Sequence, residues 1–295
     1  MQDHTTTDQE IHVGVEEAIA QLQQGRPIIV CDDEDRENEG DIVIAAEYCS
    51  AEQVNFMVTH ARGLICVPMT ESRADHLELP PMTDRNTAPL GTAFTISVEA
   101  REGVTTGISA ADRARTIQLL ADPKAGPDDF SRPGHIFPLR AKDGGVLVRA
   151  GQTEASVDLC RMAGLSSTAV VCEIMSEDGS MARMPELEQF ASQHDLHILT
   201  VADLISYRLA KERLIERGED TSLPTTHGNF RAVGYRTLID TKEHVALVMG
   251  DVTTPEPVLV RVHDKCLTGD SFGSLRCDCG GQLESAMKLV EEAGR

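Results

Sequence analysis

At 295 residues the chain is long enough for one large domain or two ordinary ones, and its 41% hydrophobic and 25% charged residues describe a globular protein with a real core. A formal net charge of −21 argues against nucleic acid as a partner, since phosphate backbones need a basic face, and no apolar run approaches the length of a membrane span. The opening MQDHTTTDQE has neither the basic nor the apolar region of a signal peptide, so a cytoplasmic protein is expected.

Tryptophan is absent, so the core must rest on aliphatic residues and Met. Val13 to Gln24 carries apolar residues at helical spacing and stops at Gly25. Pro27–Cys31 reads as a buried strand, and Ile42–Ala46 as a second, with a dense acidic loop between them. Ser50 with Gln53 forms a capping-box pattern opening a helix through Ala61. Strands are expected at Leu64–Val67 and Thr92–Ala100, then a helix at Ala110–Leu120. Short strands at His135–Leu139 and Val146–Arg149 precede a helix at Glu154–Ala163. A strand at Thr168–Met175, a turn at Glu177–Gly179 and a helix at Pro185–His194 follow, then a strand at Ile198–Thr200 and a helix at Val201–Ile215. Strands and helices intermix without strict alternation, which predicts an α/β (α+β-like) layered domain, residues 1–215, with a mixed β-sheet flanked by helices. Residues 216–228, polar and broken by Pro and Gly, read as a linker. Beyond it, 229–295 reads as a strand-rich second unit with strands at Phe230–Ile239, Val245–Met249 and Val258–Val262 and a helix at Gln282–Ala293.

The loop DDEDRENEGD, Asp32 to Asp41, holds seven carboxylates and one arginine. One reading is a solvated acidic turn. The other is a cation site: the loop lies at a strand end, where α/β proteins place ligands, and such crowded carboxylates need a compensating positive charge. Hard oxygens suit Mg²⁺, which takes one or two protein carboxylates and keeps several waters. Cys31, Cys49, Cys66, Cys160 and Cys172 are scattered and read as small buried hydrophobes. Cys266, Cys277 and Cys279 differ: three thiolates leave a fourth zinc position open, and the C-x-C pair opens a helix.

Five blocks resemble the 3,4-dihydroxy-2-butanone-4-phosphate synthase family in the family's order: the acidic loop, GTAFTISVEAREGVTTGISAADR (91–113), SRPGHIFPLRA (131–141), RAGQTEASVDL (149–159) and VVCEIMSEDGSMAR (170–183). The resemblance implies a magnesium- or manganese-dependent lyase that converts ribulose 5-phosphate to 3,4-dihydroxy-2-butanone 4-phosphate and formate, assembled as a homodimer. By the same resemblance Glu37 binds the metal, Arg36, Asp41 and Gly151 contact substrate, and Arg149 and Thr153 hold the phosphate. Glu173 is a proton shuttle that also touches substrate, and His135 is linked to activity, although by itself a histidine there reads as structural. Thr106 lies in Gly103–Ser109, either a mobile loop near substrate or an ordinary strand-to-helix turn.

One position departs from the pattern. The family's Arg-Ala-Gly-His-Thr supplies its second metal ligand from the histidine, where this chain has Gln152. An amide oxygen could still hold Mg²⁺, but it does not accept a proton usefully. Substrate binding is therefore expected to survive better than turnover, and a non-catalytic relative that binds sugar phosphates or a partner is the alternative reading.

The segment RVHDKCLTGDSFGSLRCDCGGQL, 261–283, resembles the zinc and nucleotide motif of GTP cyclohydrolase II. That resemblance assigns zinc to Cys266, Cys277 and Cys279 and nucleotide contacts to Arg261 and Gln282. Lys265 stands where the family has a carboxylate, and the family's later tyrosine, aspartate and arginine lie beyond Arg295. A truncated, at most partially folded unit without cyclohydrolase activity is expected, its nucleotide positions vestigial.

Overall fold

The computed structural model describes residues 11–295, so the signal-peptide reading of the first ten falls outside the described residues. Contacts divide the chain into two units, the first ending at Glu212 and the second running from Arg213 to Arg295. In the first unit α1 (Val15–Gln23) buries Val15, Ala18 and Leu22, spaced three and four apart as one helical face requires. Gly25 ends it with a left-handed φ of +70°. β1 (Ile28–Cys31) and β2 (Gly40–Ala45) are buried along their whole length. They are interior strands covered on both faces, hence continuous apolar runs.

The remaining elements of this unit are α2 (Ala51–Phe56), β3 (Cys66–Thr70), α3 (Glu71–His76), β4 (Val98–Ala100), α4 (Ala110–Ala121), β5 (Phe130–Ala141), α5 (Gln152–Met162), β6 (Ala169–Glu173), α6 (Met184–His194), β7 (Ile198–Thr200) and α7 (Val201–Lys211). The seven strands form one sheet in the order β4-β5-β3-β6-β2-β1-β7. It is mixed: β1 runs parallel to β7 and β3 to β5, while β2 is antiparallel to β1 and β6. Successive strand residues serve opposite faces. Ile29, Ile42 and Ile44 join Val54, Ile117 and Leu187 from α2, α4 and α6 in one core. Ile28, Val30 and Val43 join Leu22, Leu159 and Leu204 from α1, α5 and α7 in another. Each fully buried aliphatic side chain contributes roughly 1.5–3 kcal/mol relative to exposure. The predicted layered α/β architecture with a mixed sheet is what the chain adopts.

Four local expectations are corrected. Only Val98–Ala100 of Thr92–Ala100 is a strand; before it Phe94 and Thr95 form only isolated bridges, to Leu139 and Pro81. Val146–Arg149 is not a strand: Gly144 and Gly145 take positive φ and start a short 3-10 turn, Gly145–Leu147. The helix from Val201 stops at Lys211 rather than Ile215, Glu212 being extended. The helix after Ser50, whose side chain accepts from Gln53 N–H as expected, changes to a wider π turn over Met57–Ala61.

In the second unit β8 (Ile215–Thr225), β9 (Gly228–Thr237) and β10 (Glu243–Val248) form an antiparallel sheet in the order β10-β9-β8, and α8 (Cys279–Ala293) follows. The segment read as a linker is therefore mostly β8. Its polarity is that of a solvent-exposed edge strand, where Pro224 is tolerated. Val258–Val262 forms no strand, and Val260 and Val262 are 75% and 86% exposed. Among the described residues no helix is long and apolar enough to cross a membrane.

Candidate active site

β1 and β6 run in the same direction, each being antiparallel to β2. The end of β1, the start of β2 and the end of β6 therefore share one edge of the sheet. Asp32 follows β1 and organises the acidic loop: its carboxylate accepts from the backbone N–H of Glu39 (2.9 Å) and Glu37 (3.0 Å) and from Arg36 Nη1 (2.7 Å). Asn38 makes the turn with a φ of +55°. Arg183, just before α6, donates to the carbonyls of Glu37 (2.7 Å) and Asn38. The sequence reading gave no role to Asp32 or Arg183.

Asp41 and Glu173 are register partners across β2 and β6. Burial, reinforced by the charges of Glu173, Glu37, Glu39 and Asp32, pushes the Asp41 carboxyl well above the usual range. Burial also raises Glu173, although the Leu64 N–H donating to its Oε2 at 2.9 Å works the other way. Glu39 is raised chiefly by burial and by Glu37. Gly63 is required beside Glu173, because a Cβ there would collide with the Glu173 backbone.

α5 brings the second group of residues. Gly151 is its N-cap, and Gln152 and Thr153 are buried in its first turn. A Cβ at Gly151 would lie 2.6 Å from Arg149 Nη1 and 2.9 Å from Arg36 Nη2, so two guanidinium groups converge on this glycine. A helix N-terminus with two adjacent arginines attracts an oxyanion. Arg149 is also held by protein: Nη1 donates to Glu154 Oε2 at 2.6 Å and Nη2 to Leu90 O at 3.2 Å. The Gln152 carbonyl oxygen accepts from Arg36 Nη1 at 3.0 Å, and its Nε2 donates to Glu39 O at 3.3 Å.

Thr106 and His135 belong to a different cluster. His135 Nδ1 lies 2.5 Å from Glu99 Oε2, and a Cβ at Gly107 would run into that same carboxylate. The loop 103–109 winds around Asp112, which accepts from the N–H and hydroxyl of Thr105 and the N–H of Gly107. Among the described residues no hydrogen bond or ion pair joins this cluster to the acidic loop.

A divalent cation fits the acidic edge through oxygen chemistry. Glu37 offers a carboxylate amid Asp32, Glu39, Asp41 and Glu173, and hard carboxylate oxygens suit Mg²⁺. No three acidic groups among the described residues bring ligand atoms within 4.8 Å of one another, so an ion here would keep water or substrate oxygens.

In the second unit the Sγ atoms of Cys266, Cys277 and Cys279 lie within 4.8 Å of one another, with Cys266 and Cys277 at 3.7 Å. Tetrahedral zinc with bonds of about 2.3 Å sets sulfurs roughly 3.8 Å apart, so the thiols fit it. The Gly269 N–H, then the Thr268 hydroxyl, lower Cys266 to about 7. Asp270 braces the loop, accepting from Cys266 N–H at 2.8 Å and lying 3.1 Å from His263 Nε2. Arg261 donates to Gln282 at 2.6 Å, and both line one cleft with Cys277.

Comparison with known proteins identifies relatives of both units. A family model described as 3,4-dihydroxy-2-butanone 4-phosphate synthase matches residues 16–207, and one described as GTP cyclohydrolase II matches 216–295. Curated relatives named riboflavin biosynthesis protein RibBA include that of Salinispora arenicola, 55% identical over 95% of this chain and 67% of its own length. The Bacillus mycoides protein is also 55% identical, covering 95% of this chain and 70% of its own. Among solved structures, a two-domain 3,4-dihydroxy-2-butanone 4-phosphate synthase, RibBX from A. baumannii, has a TM-score of 0.81 at 42% identity, covering 96% of this chain and 88% of that one. A 3,4-dihydroxy-2-butanone 4-phosphate synthase solved with two magnesium ions has a TM-score of 0.65 at 44% identity, covering 68% and 98%.

Proposed function

The chain belongs to the 3,4-dihydroxy-2-butanone 4-phosphate synthase family, and from that premise we propose that it is a riboflavin-pathway carbon–carbon lyase. Ribulose 5-phosphate is the substrate, 3,4-dihydroxy-2-butanone 4-phosphate and formate are the products, and the working form is a homodimer using Mg²⁺ or Mn²⁺. The observation that carries this reading is the meeting of two opposite chemistries at one sheet edge. Asp41 and Glu173 pair in register beside the loop bearing Glu37, while Arg36 and Arg149 converge on Gly151 at the start of α5.

The reaction removes a proton beside a carbonyl, rearranges the carbon skeleton and releases one carbon. Glu37 would hold a divalent cation, which when bound would supply charge stabilisation for the oxygens that become negative. The chain's own groups do the rest. Arg36, Arg149, Thr153 and the α5 N-terminus hold the phosphate and so fix the sugar's direction. Asp41 and Glu173, both raised by burial, keep protons available closer to neutrality than ordinary carboxylic acids do, which suits groups that take and return protons. His135, beside Glu99, and Thr106, in the loop that Asp112 holds through Thr105 and Gly107, contribute a second polar group.

Gln152 supplies neither a proton acceptor nor a strong metal ligand, so turnover is impaired. Formate release from ribulose 5-phosphate with Mg²⁺ tests this. Gln152→His is expected to exceed the natural chain on the order of 10²-fold, the scale of one acid–base group. Equal rates would remove the impairment, and no formate from either protein would overturn the lyase reading. For the second unit we propose a zinc ion on Cys266, Cys277 and Cys279, supported by their spacing.

A further inference from the structure

Arg36 Nη1 touches three oxygens at once: Asp32 Oδ2 at 2.7 Å, Gln152 Oε1 at 3.0 Å and Glu37 Oε2 at 3.2 Å. By the resemblance, Glu37 stands where the family binds its metal, and Gln152 where the family has a histidine ligand. The guanidinium thus occupies the Glu37 carboxylate that a divalent ion would need. We propose that Arg36, anchored by the Gln152 carbonyl, is a built-in cation that competes with the divalent metal for Glu37, so that metal binding requires Arg36 to swing away. This inference rests on the metal-dependent reading above and assigns Arg36 a gating role within it.

Three features hold Arg36 in place. Gln152 is only 4% exposed, and its Nε2 is committed to Glu39 O, which leaves its carbonyl oxygen directed at Arg36. Gly151 has no side chain, and a Cβ there would crowd Arg36 Nη2 at 2.9 Å. Asp32, whose side chain is fully buried, anchors the same nitrogen from the loop side. Charge-assisted bonds to carboxylates are the stronger kind, and a guanidinium is well matched to an amide oxygen. Mg²⁺ or Mn²⁺ binds oxygen at close range and repels a cation at that distance, so the Glu37 carboxylate does not serve both. The bound-competent fraction is then small, and the apparent metal affinity falls by that fraction.

The signs of two substitutions separate this from a direct ligand role for Gln152. If Gln152 binds the metal, removing its amide weakens binding; if it anchors the competitor, removing it tightens binding. Mn²⁺ titration of the full chain, followed by the electron paramagnetic resonance of free Mn²⁺, gives affinities without turnover. Gln152→Leu and Arg36→Gln are each expected to tighten Mn²⁺ roughly tenfold or more, as release of an about 90% occupied competing state requires. Unchanged or weaker binding in Gln152→Leu overturns the proposal, and so does tightening confined to Arg36→Gln, which is the general effect of deleting a charge. Thermal midpoints identify any variant that fails to fold, in which case Gln152→Met or Arg36→Met takes its place under the same criteria. If no variant binds Mn²⁺, Gln152→His included, the metal site itself falls and the proposed function with it. Normal Mn²⁺ binding without the predicted tightening removes Arg36's role alone.

Discussion

Asp41 on β2 stands directly opposite Glu173 on β6, two acids paired in register at the edge of an otherwise apolar ladder. The pair is costly, because burial and mutual repulsion both disfavour charge. Both carboxyls titrate higher folded than unfolded. The stability they contribute is therefore complete below the ordinary carboxylate range and lost as pH rises through their raised folded values. In EDTA the thermal midpoint should fall as pH is raised from acid through neutrality. Asp41→Asn should flatten that fall and stabilise the neutral protein by on the order of 1 kcal/mol, about 2–4 °C. A steeper decline in the Asn variant would show that the pair is not the source.

Arg208 is the buried hub behind the turn at Gly145–Leu147. It is 3% exposed and donates to Asp158 Oδ2 (2.6 Å), Gly144 O (2.9 Å) and both oxygens of Glu212. Asp158 in turn accepts from Val146 N–H at 2.9 Å, fixing the turn that leads to Arg149. Arg208→Met strands a buried carboxylate, which costs roughly 3–5 kcal/mol, an expected drop of about 6–20 °C in midpoint. Circular dichroism during thermal unfolding measures it. A loss below about 1 kcal/mol would make the network a spectator.

Much of the first unit was legible because its interior strands are apolar runs and its helices carry one buried face. Ser50, Gly25 and the Ile198–Thr200 strand mark their own places. The acidic loop was legible as a charge concentration, but its construction was not. Arg183 reaches Glu37 from 146 residues away, and nothing around it in sequence marks that contact. Gln152 was legible as a departure, whereas its bond to Arg36 depends on how α5 meets the loop. Val146–Arg149 looked apolar enough for a strand, and only the positive φ of two glycines makes it a turn. The polar run 216–228 misled because an exposed edge strand and a linker share the same composition.

Gly63 is the point where the chain entering β3 passes closest to Glu173. A methyl there would overlap the Glu173 backbone, so Gly63→Ala must push the two segments apart and take the Leu64 N–H off Glu173 Oε2. Overpacking of this kind costs roughly 1–3 kcal/mol. In the Gln152→His background, Gly63→Ala should lower the kcat for formate release more than it raises KM, since Glu173 moves while the phosphate side at α5 is untouched. An effect confined to KM would relocate Glu173 from proton transfer to binding.

The eight cysteines fall into two chemical classes. Burial pushes Cys31, Cys49, Cys160 and Cys172 up to about 12 and raises Cys66 further, so at neutral pH none of the five presents a thiolate. Cys266, by contrast, is lowered to about 7 by the Gly269 N–H and the Thr268 hydroxyl, while its neighbours Cys277 and Cys266 push Cys279 up to about 12. In the native protein a thiol reagent at pH 8 should label Cys266 first after chelation, and label it more slowly with zinc bound. Elemental analysis should find one zinc per chain, and Cys277→Ser should lose it, because two thiolates hold zinc far less tightly than three. Unchanged zinc content in Cys277→Ser, or rapid labelling of more than three thiols in folded protein, would break the assignment. Either result would mean that the sulfur spacing of 3.7 Å reflects packing against Gly269 rather than a metal site.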